Sequence, residues 1–262
     1  NITVAPVVVI WGDEILQDGV DIMPDDFYRR LSTAKVMPTT SQPSPATLKT
    51  IFEKLLDEGY DVQGIFISTK LSGTIQSALQ ARDMLPKAKD KISIVDSLST
   101  SMAMGFMVLK VARAAEDGAK LAECQKLAEK AIGHVGVLFA VETLEFLRRG
   151  GRIGGAQALL GTALNIKPVL EVRDGRVESV EKVRTKSKAM ARVVELVVEK
   201  VAGRTPVHLA TLHANAENDA KTILESAVAQ LHPVETVLAS VSPAIGNHTG
   251  PGTVGLAYMA GM

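Results

Sequence analysis

The 262-residue sequence has one cysteine, no net charge, few aromatic residues and no long apolar run. Cys124 has no second cysteine to pair with, and its neighbours Leu121, Leu127 and Ala128 mark it as a small packed residue on a helix rather than a reactive thiol. Absence of a disulfide framework points to a reducing, cytoplasmic setting. Lys plus Arg and Asp plus Glu stand at 29 each, which leaves no excess of positive charge to offset nucleic-acid phosphates, so no nucleic-acid partner is expected. No apolar stretch approaches the roughly 20 residues that span a bilayer, and no charged leader with an apolar centre opens the chain. No HExxH pattern or cysteine cluster occurs, and His134, His208, His213 and His232 are scattered, so no metal is expected. The glycine cluster at 150–155 follows a helical segment and lacks a following Lys-Ser or Lys-Thr; no nucleotide cofactor is expected either.

What is present is apolar residues, at 46% of the chain, in a length that fits two small domains with a cleft between them. Val- and Ile-rich residues 2–10, the turn at Gly12-Asp13-Glu14 and a second extended piece at 15–20 predict a hairpin. A short helix over 27–31 follows, then a polar loop over 37–45. Leu48, Ile51, Phe52 and Leu55 recur at helical spacing over 46–58. Residues 64–68 and 92–95 are short apolar strands, each followed by a polar loop and a helix (75–84 and 101–115), the pattern of a Rossmann-like parallel sheet covered by helices. In such sheets ligands sit at the carboxyl ends of the strands. From Val135 the texture changes to a strand (135–141), the Gly-dense stretch, and a hairpin of 166–172 with 177–183 around Asp174-Gly175. Helix 186–201, strand 207–213, helix 216–231 and strand 235–241 complete a second α/β unit with a mixed sheet. The expected division is a domain over 1–133 and another over 134–262.

Three hydroxyl-rich loops stand out: Pro38 to Pro43, Ser68 to Thr74, and Ile245 to Gly252. Helix capping explains any one of them, with Ser41 or Ser44 serving the helix after Pro45 and Ser72 or Thr74 the helix after Gly73. A cap needs one oxygen, however, and Thr39, Thr40, Ser41, Ser68, Thr69, Ser72 and Thr74 crowd two strand ends, which suits a bound anion. His248, beside Asn247 in a glycine-rich loop, is the histidine best placed to join them. A Ser72 nucleophile with His248 as its base would make a serine hydrolase or esterase, although Ser72 lies outside a GxSxG elbow and no acidic third member is evident.

Taken together, Asp18-Gly19-Val20-Asp21-Ile22, Thr40 to Pro45, Leu71-Ser72-Gly73-Thr74, Val95-Asp96-Ser97, Leu144 to Ile153, Ile166-Lys167-Pro168 and Gly246 to Gly252 resemble the DegV family of bacterial fatty-acid-binding proteins, which includes the FakB subunits of fatty acid kinase. The resemblance runs over essentially the whole chain. It implies a non-catalytic lipid-binding subunit of two α/β domains with the ligand between them. Palmitate, stearate or oleate would have its tail in the first domain and its carboxylate on Thr40, Ser72 and His248, with Ser41, Gly73, Thr74 and Asn247 nearby. It further implies presentation of that carboxylate to a separate ATP-using kinase that forms an acyl phosphate for phospholipid synthesis. Arg148, Arg149, Arg152, Lys182 and Arg184 are the cations expected to meet that partner or to support the site. A monomer with transient membrane contact fits that role. Tail-pocket candidates are Met102, Met104, Phe106, Leu159, Leu160 and Leu164. Family members begin with a further strand and an Asp-Ser loop; this sequence opens after that point, so a first strand that completes the sheet and tail pocket is expected upstream.

Overall fold

The computed structural model describes residues 2–161 and 166–262. The chain opens with strands β1 (Val8–Trp11) and β2 (Glu14–Gln17), helix α1 (Pro24–Leu31) and strand β3 (Thr39–Ser41). β1 pairs antiparallel with both strands, giving a three-stranded sheet in the order β2-β1-β3. The hairpin is as expected, but β1 starts at Val8 rather than at residue 2, and residues 39–41, read from sequence as loop, form a strand.

Helix α2 (Pro45–Asp57) is capped by Ser44, whose Oγ accepts the Thr47 N–H at 3.0 Å. β4 (Val62–Phe66), α3 (Thr74–Asp83), β5 (Ile92–Asp96), α4 (Ser101–Glu116) and α5 (Leu121–Ala131) follow. β4 and β5 run parallel with helices on both faces. Leu48, Phe52, Ala78 and Ala81 pack on one side, and Val111, Cys124 and Ala128 on the other. Cys124 is therefore a buried small residue, and burial raises its thiol pKa.

The remaining elements are β6 (Val135–Ala140), α6 (Glu145–Arg149), β7 (Lys167–Arg173), β8 (Arg176–Val183), α7 (Lys186–Val201), β9 (Val207–His213), α8 (Glu217–Leu231), β10 (Glu235–Ser240), α9 (Pro243–Thr249) and β11 (Val254–Ala260). Six strands make a mixed sheet in the order β10-β9-β11-β6-β7-β8, with only β9 and β10 parallel. α7 and α8 cover one face through Val193, Val197 and Ile223. The other face carries Val137, Phe139, Ala210, Leu212, Ala257 and Met259, which pack with Val9, Trp11, Phe27 and Tyr28 from the opening segment and with Phe106 from α4. This shared core fixes the three-stranded sheet and α1 directly over the six-stranded sheet. A further tie is ionic: Arg113 on α4 forks onto Glu235 at 2.8 and 3.0 Å, and Glu235 also meets His208 at 2.9 Å, which holds the Glu235 carboxyl down at about 2.

Candidate ligand-binding site

Strand alternation decides which hydroxyl of the first loop faces inward. In β3 successive side chains point to opposite faces: Thr39 and Ser41 are exposed, while Thr40, opposite Val9, is half-buried. Ser41 turns away and its Oγ donates to the Gln42 carbonyl at the surface, 3.3 Å away.

Thr40 Oγ1 lies 2.8 Å from His248 Nε2. His248 sits in the last turn of α9, so the segment 245–252 is a helix end and turn rather than the loop read from sequence. Its Nδ1 is buried without a hydrogen-bond partner among the described residues and faces Gly150, where an added Cβ would stand 2.0 Å away. Gly150 is required at that close approach. The imidazole is held down to about 4, first by burial and then by the positive charges of Arg152 and Arg149. At neutral pH it is uncharged. Asn247, beside it, is buried with Oδ1 unpartnered among the described residues.

Ser72 lies between β4 and α3, where the Ser68 carbonyl accepts the Leu71 and Ser72 N–H groups at 2.9 and 3.0 Å. Its Oγ accepts the Thr74 N–H at 3.3 Å and lies 2.8 Å from Thr74 Oγ1, but the N-cap position of α3 is Gly73, so neither Ser72 nor Thr74 serves as the side-chain cap read from sequence. Thr74 is buried. Gly73 lets the Gln42 side chain approach, since a Cβ there would meet Gln42 Nε2 at 3.0 Å. The first and second hydroxyl loops are thus in contact.

Arg152 joins them to the third. Its Nε donates to the Leu71 carbonyl at 3.0 Å and its Nη1 to the Gly150 carbonyl at 2.8 Å, while Gly150 backs onto His248. Arg152 is therefore a part-buried bridge across the two halves, and only the other four cations of its predicted set lie at the surface. Of these, Arg148 pairs with Glu145 at 2.8 Å, and Arg149 stands 5.0 Å from the Phe146 ring centre. Lys182 and Arg184 are exposed on and just after β8. A second bridge was not anticipated: Lys70 Nζ donates to the Asp174 carbonyl at 2.7 Å, and Gly175 (φ +82°) seats the β7–β8 turn against Ser68.

A hydrolase relay is not what this geometry builds. Ser72 is engaged with Thr74, His248 with Thr40, and Nδ1 of His248 faces a glycine instead of an orienting carboxylate. The esterase reading is corrected on that ground. Among the described residues no group of three or more His, Cys, Asp or Glu could hold a metal, and no helix is long and apolar enough to cross a membrane. Of the tail-pocket candidates, Phe106 and Leu159 are buried in the shared core, Met102 packs against it, Leu160 is 39% exposed, and Leu164 lies outside the described residues.

Residues 1–261 match the profile described as "Uncharacterised protein, DegV family". A DegV domain-containing protein of Streptomyces coelicolor is 37% identical over 98% of this chain and 90% of its own length. Among solved structures, a fatty-acid-binding DegV family protein from Thermus thermophilus superposes with a TM-score of 0.90 at 35% identity, covering 97% of this chain and 90% of that one. DegV from Bacillus subtilis, described as a fatty acid binding protein, gives 0.87 at 32% identity over 98% and 90%. The full-length match, the hydroxyl and glycine motifs it spans and the shared α/β fold place this chain in the DegV family.

Proposed function

We propose that this protein binds one long-chain fatty acid, such as palmitate, stearate or oleate, as a non-catalytic carrier with the carboxylate between the two halves of the chain. The observation that carries this reading is the inward-facing Thr40–His248 pair set in the field of Arg149 and Arg152. Such a field opposes a third cation on the imidazole and favours an anion beside it. With Nδ1 of His248 lacking an acceptor among the described residues, its proton belongs on Nε2, donating to Thr40 Oγ1. Thr40 then keeps its own hydroxyl proton for the ligand. Ser72, on the loop that Gly73 brings against Gln42 just after β3, supplies another donor. Hydrogen bonds to a charged acceptor contribute about 1.5 to 3 kcal/mol each. A tail of about fifteen methylenes, buried at roughly 0.8 kcal/mol apiece, adds on the order of 12 kcal/mol before ordering and association costs. Affinity of that size needs no covalent bond.

The finer role is presentation: the protein shields the tail and offers the carboxylate to a separate ATP-dependent kinase, which forms the acyl phosphate used in phospholipid synthesis. Exposed Arg148, Arg149, Lys182 and Arg184 are the cations available to that partner. The fatty-acid-binding descriptions of the Thermus thermophilus and Bacillus subtilis relatives support the ligand class. Native mass spectrometry of the purified protein, followed by denaturation and solvent extraction, tests it. A released long-chain fatty acid is the expected result. An empty protein that also ignores added palmitate and oleate would overturn the proposal.

A further inference from the structure

We infer that Asp18, the first residue of the Asp-Gly-Val-Asp-Ile motif, is a positioning residue of this site: it holds α9 so that His248 meets Thr40. The inference rests on the fatty-acid reading for its functional consequence, but its structural half stands separately. Helix α9 has seven residues, barely two turns, a length that does not sustain itself without outside contacts. Its N-cap residue, Ser242, makes no capping bond with its own side chain, and Pro243 at the first position has no N–H to satisfy. The first amide needing an acceptor is that of Ala244. Asp18 meets it from the other end of the chain: Oδ2 accepts the Ser242 hydroxyl at 2.7 Å and the Ala244 N–H at 3.3 Å.

Asp18 is itself fixed. Its N–H donates to the Val7 carbonyl at 2.9 Å, and the turn that follows is closed by Gly19, at φ +75°, donating to the Ile22 carbonyl at 3.0 Å. The same hairpin places β1 against β3 and therefore sets Thr40. One rigid unit thus carries Thr40 on a strand and clamps the start of the helix whose last turn carries His248. Tyr28 adds a second hold, donating to the Val241 carbonyl at 3.0 Å and packing where Gly246 has no side chain. Oδ1 of Asp18 is buried and unpartnered among the described residues, so the carboxylate is committed to α9 through one oxygen.

The test uses the full chain. Long-range proton–nitrogen spectra report the ring nitrogens of His248, assigned by their loss in His248→Gln, and titration gives palmitate affinity. Asp18→Ala is expected to shift the His248 nitrogens and weaken palmitate roughly fivefold or more, the range of a lost helix cap. Asp18→Asn, whose amide oxygen accepts the same two bonds, should restore both readouts. Arg192→Ala is the stability control: on α7, across the six-stranded sheet from the site, it breaks ion pairs to Glu195 and Glu199 of the same helix and to Glu181 of β8. It should move neither readout. Unshifted imidazole signals in Asp18→Ala, or an affinity loss no larger than that of Arg192→Ala, would overturn the inference. Should Asp18→Ala not fold, Ser242→Ala removes one of the two donors and is read the same way. If the unmodified protein takes up no palmitate, the fatty-acid reading fails, while the imidazole signals still decide the positioning role.

Discussion

Acidification should destabilise this protein through His248, and the size of the effect follows from its surroundings. Burial and the charges of Arg152 and Arg149 lower the imidazole from its ordinary 6.5 to about 4 in the folded state. The unfolded chain therefore binds this proton more readily than the folded one throughout that window. Stability is at its full value above about pH 6.5, falls as pH drops, and levels off once pH passes below the folded value, for a total loss of ~3 kcal/mol. Part of the acid sensitivity belongs to His213, whose imidazole is also lowered by burial and whose contribution has the same sign. Comparison with His248→Gln isolates the contribution of His248. Urea unfolding of both proteins from about pH 7.5 to about 4.5, with the unfolding free energy extrapolated at each pH, should show the native protein losing more stability than the variant by most of that amount. Bound palmitate, whose carboxylate offsets the two arginines, should narrow the gap. Parallel stability curves for the two proteins would refute the reasoning, because they would mean the imidazole titrates as it does in water.

Two glycines give further tests. Gly150→Ala adds no backbone strain at φ −74° but puts a methyl 2.0 Å from His248 Nδ1, so the ring must move. Calorimetric titration should show palmitate weakened on the order of tenfold, about 1.4 kcal/mol, with a smaller change in thermal stability. Gly175→Ala combines φ +82° with a Cβ only 2.4 Å from Ser68 Oγ. It should lower stability by about 1 to 3 kcal/mol in urea unfolding, since both the turn and its seat on the Ser68 loop are disturbed.

Local pattern carried much of the architecture. The alternation of apolar runs and helical periodicity over 64–116 corresponds to β4, α3, β5 and α4, and Asp174-Gly175 forms the tight turn between β7 and β8 with φ of +51° and +82°. The elements that sequence did not disclose depend on distant partners. β3 is three hydroxylic residues bounded by prolines, and only its pairing with β1, some thirty residues earlier, makes it a strand. α9 contains Gly246 and Asn247, both poor helix formers, and its cap comes from Asp18. β11, wholly buried between β9 and β6, carries Gly255, Ala257 and Ala260 among its apolar residues, a mixture with no clear alternation. The site was half legible for the same reason. Hydroxyl crowding and the family motifs pointed to Thr40, Ser72 and His248, but which of Thr39, Thr40 and Ser41 faces inward is a property of β3. Arg152 reads as one more charge beside a glycine cluster until its bonds to Leu71 and Gly150 are seen.

The central claim is that hydroxyl donors in a positive field hold an anionic head group, and the most direct measurement compares palmitate with methyl palmitate by titration calorimetry on the same protein. The two ligands share a tail, so they differ only at the head. Palmitate should bind at least about tenfold more tightly, the equivalent of roughly 1.4 kcal/mol or more of charge-assisted hydrogen bonding, and the ester should be recovered intact. Equal affinities for acid and ester, or release of methanol from the ester, would contradict the account.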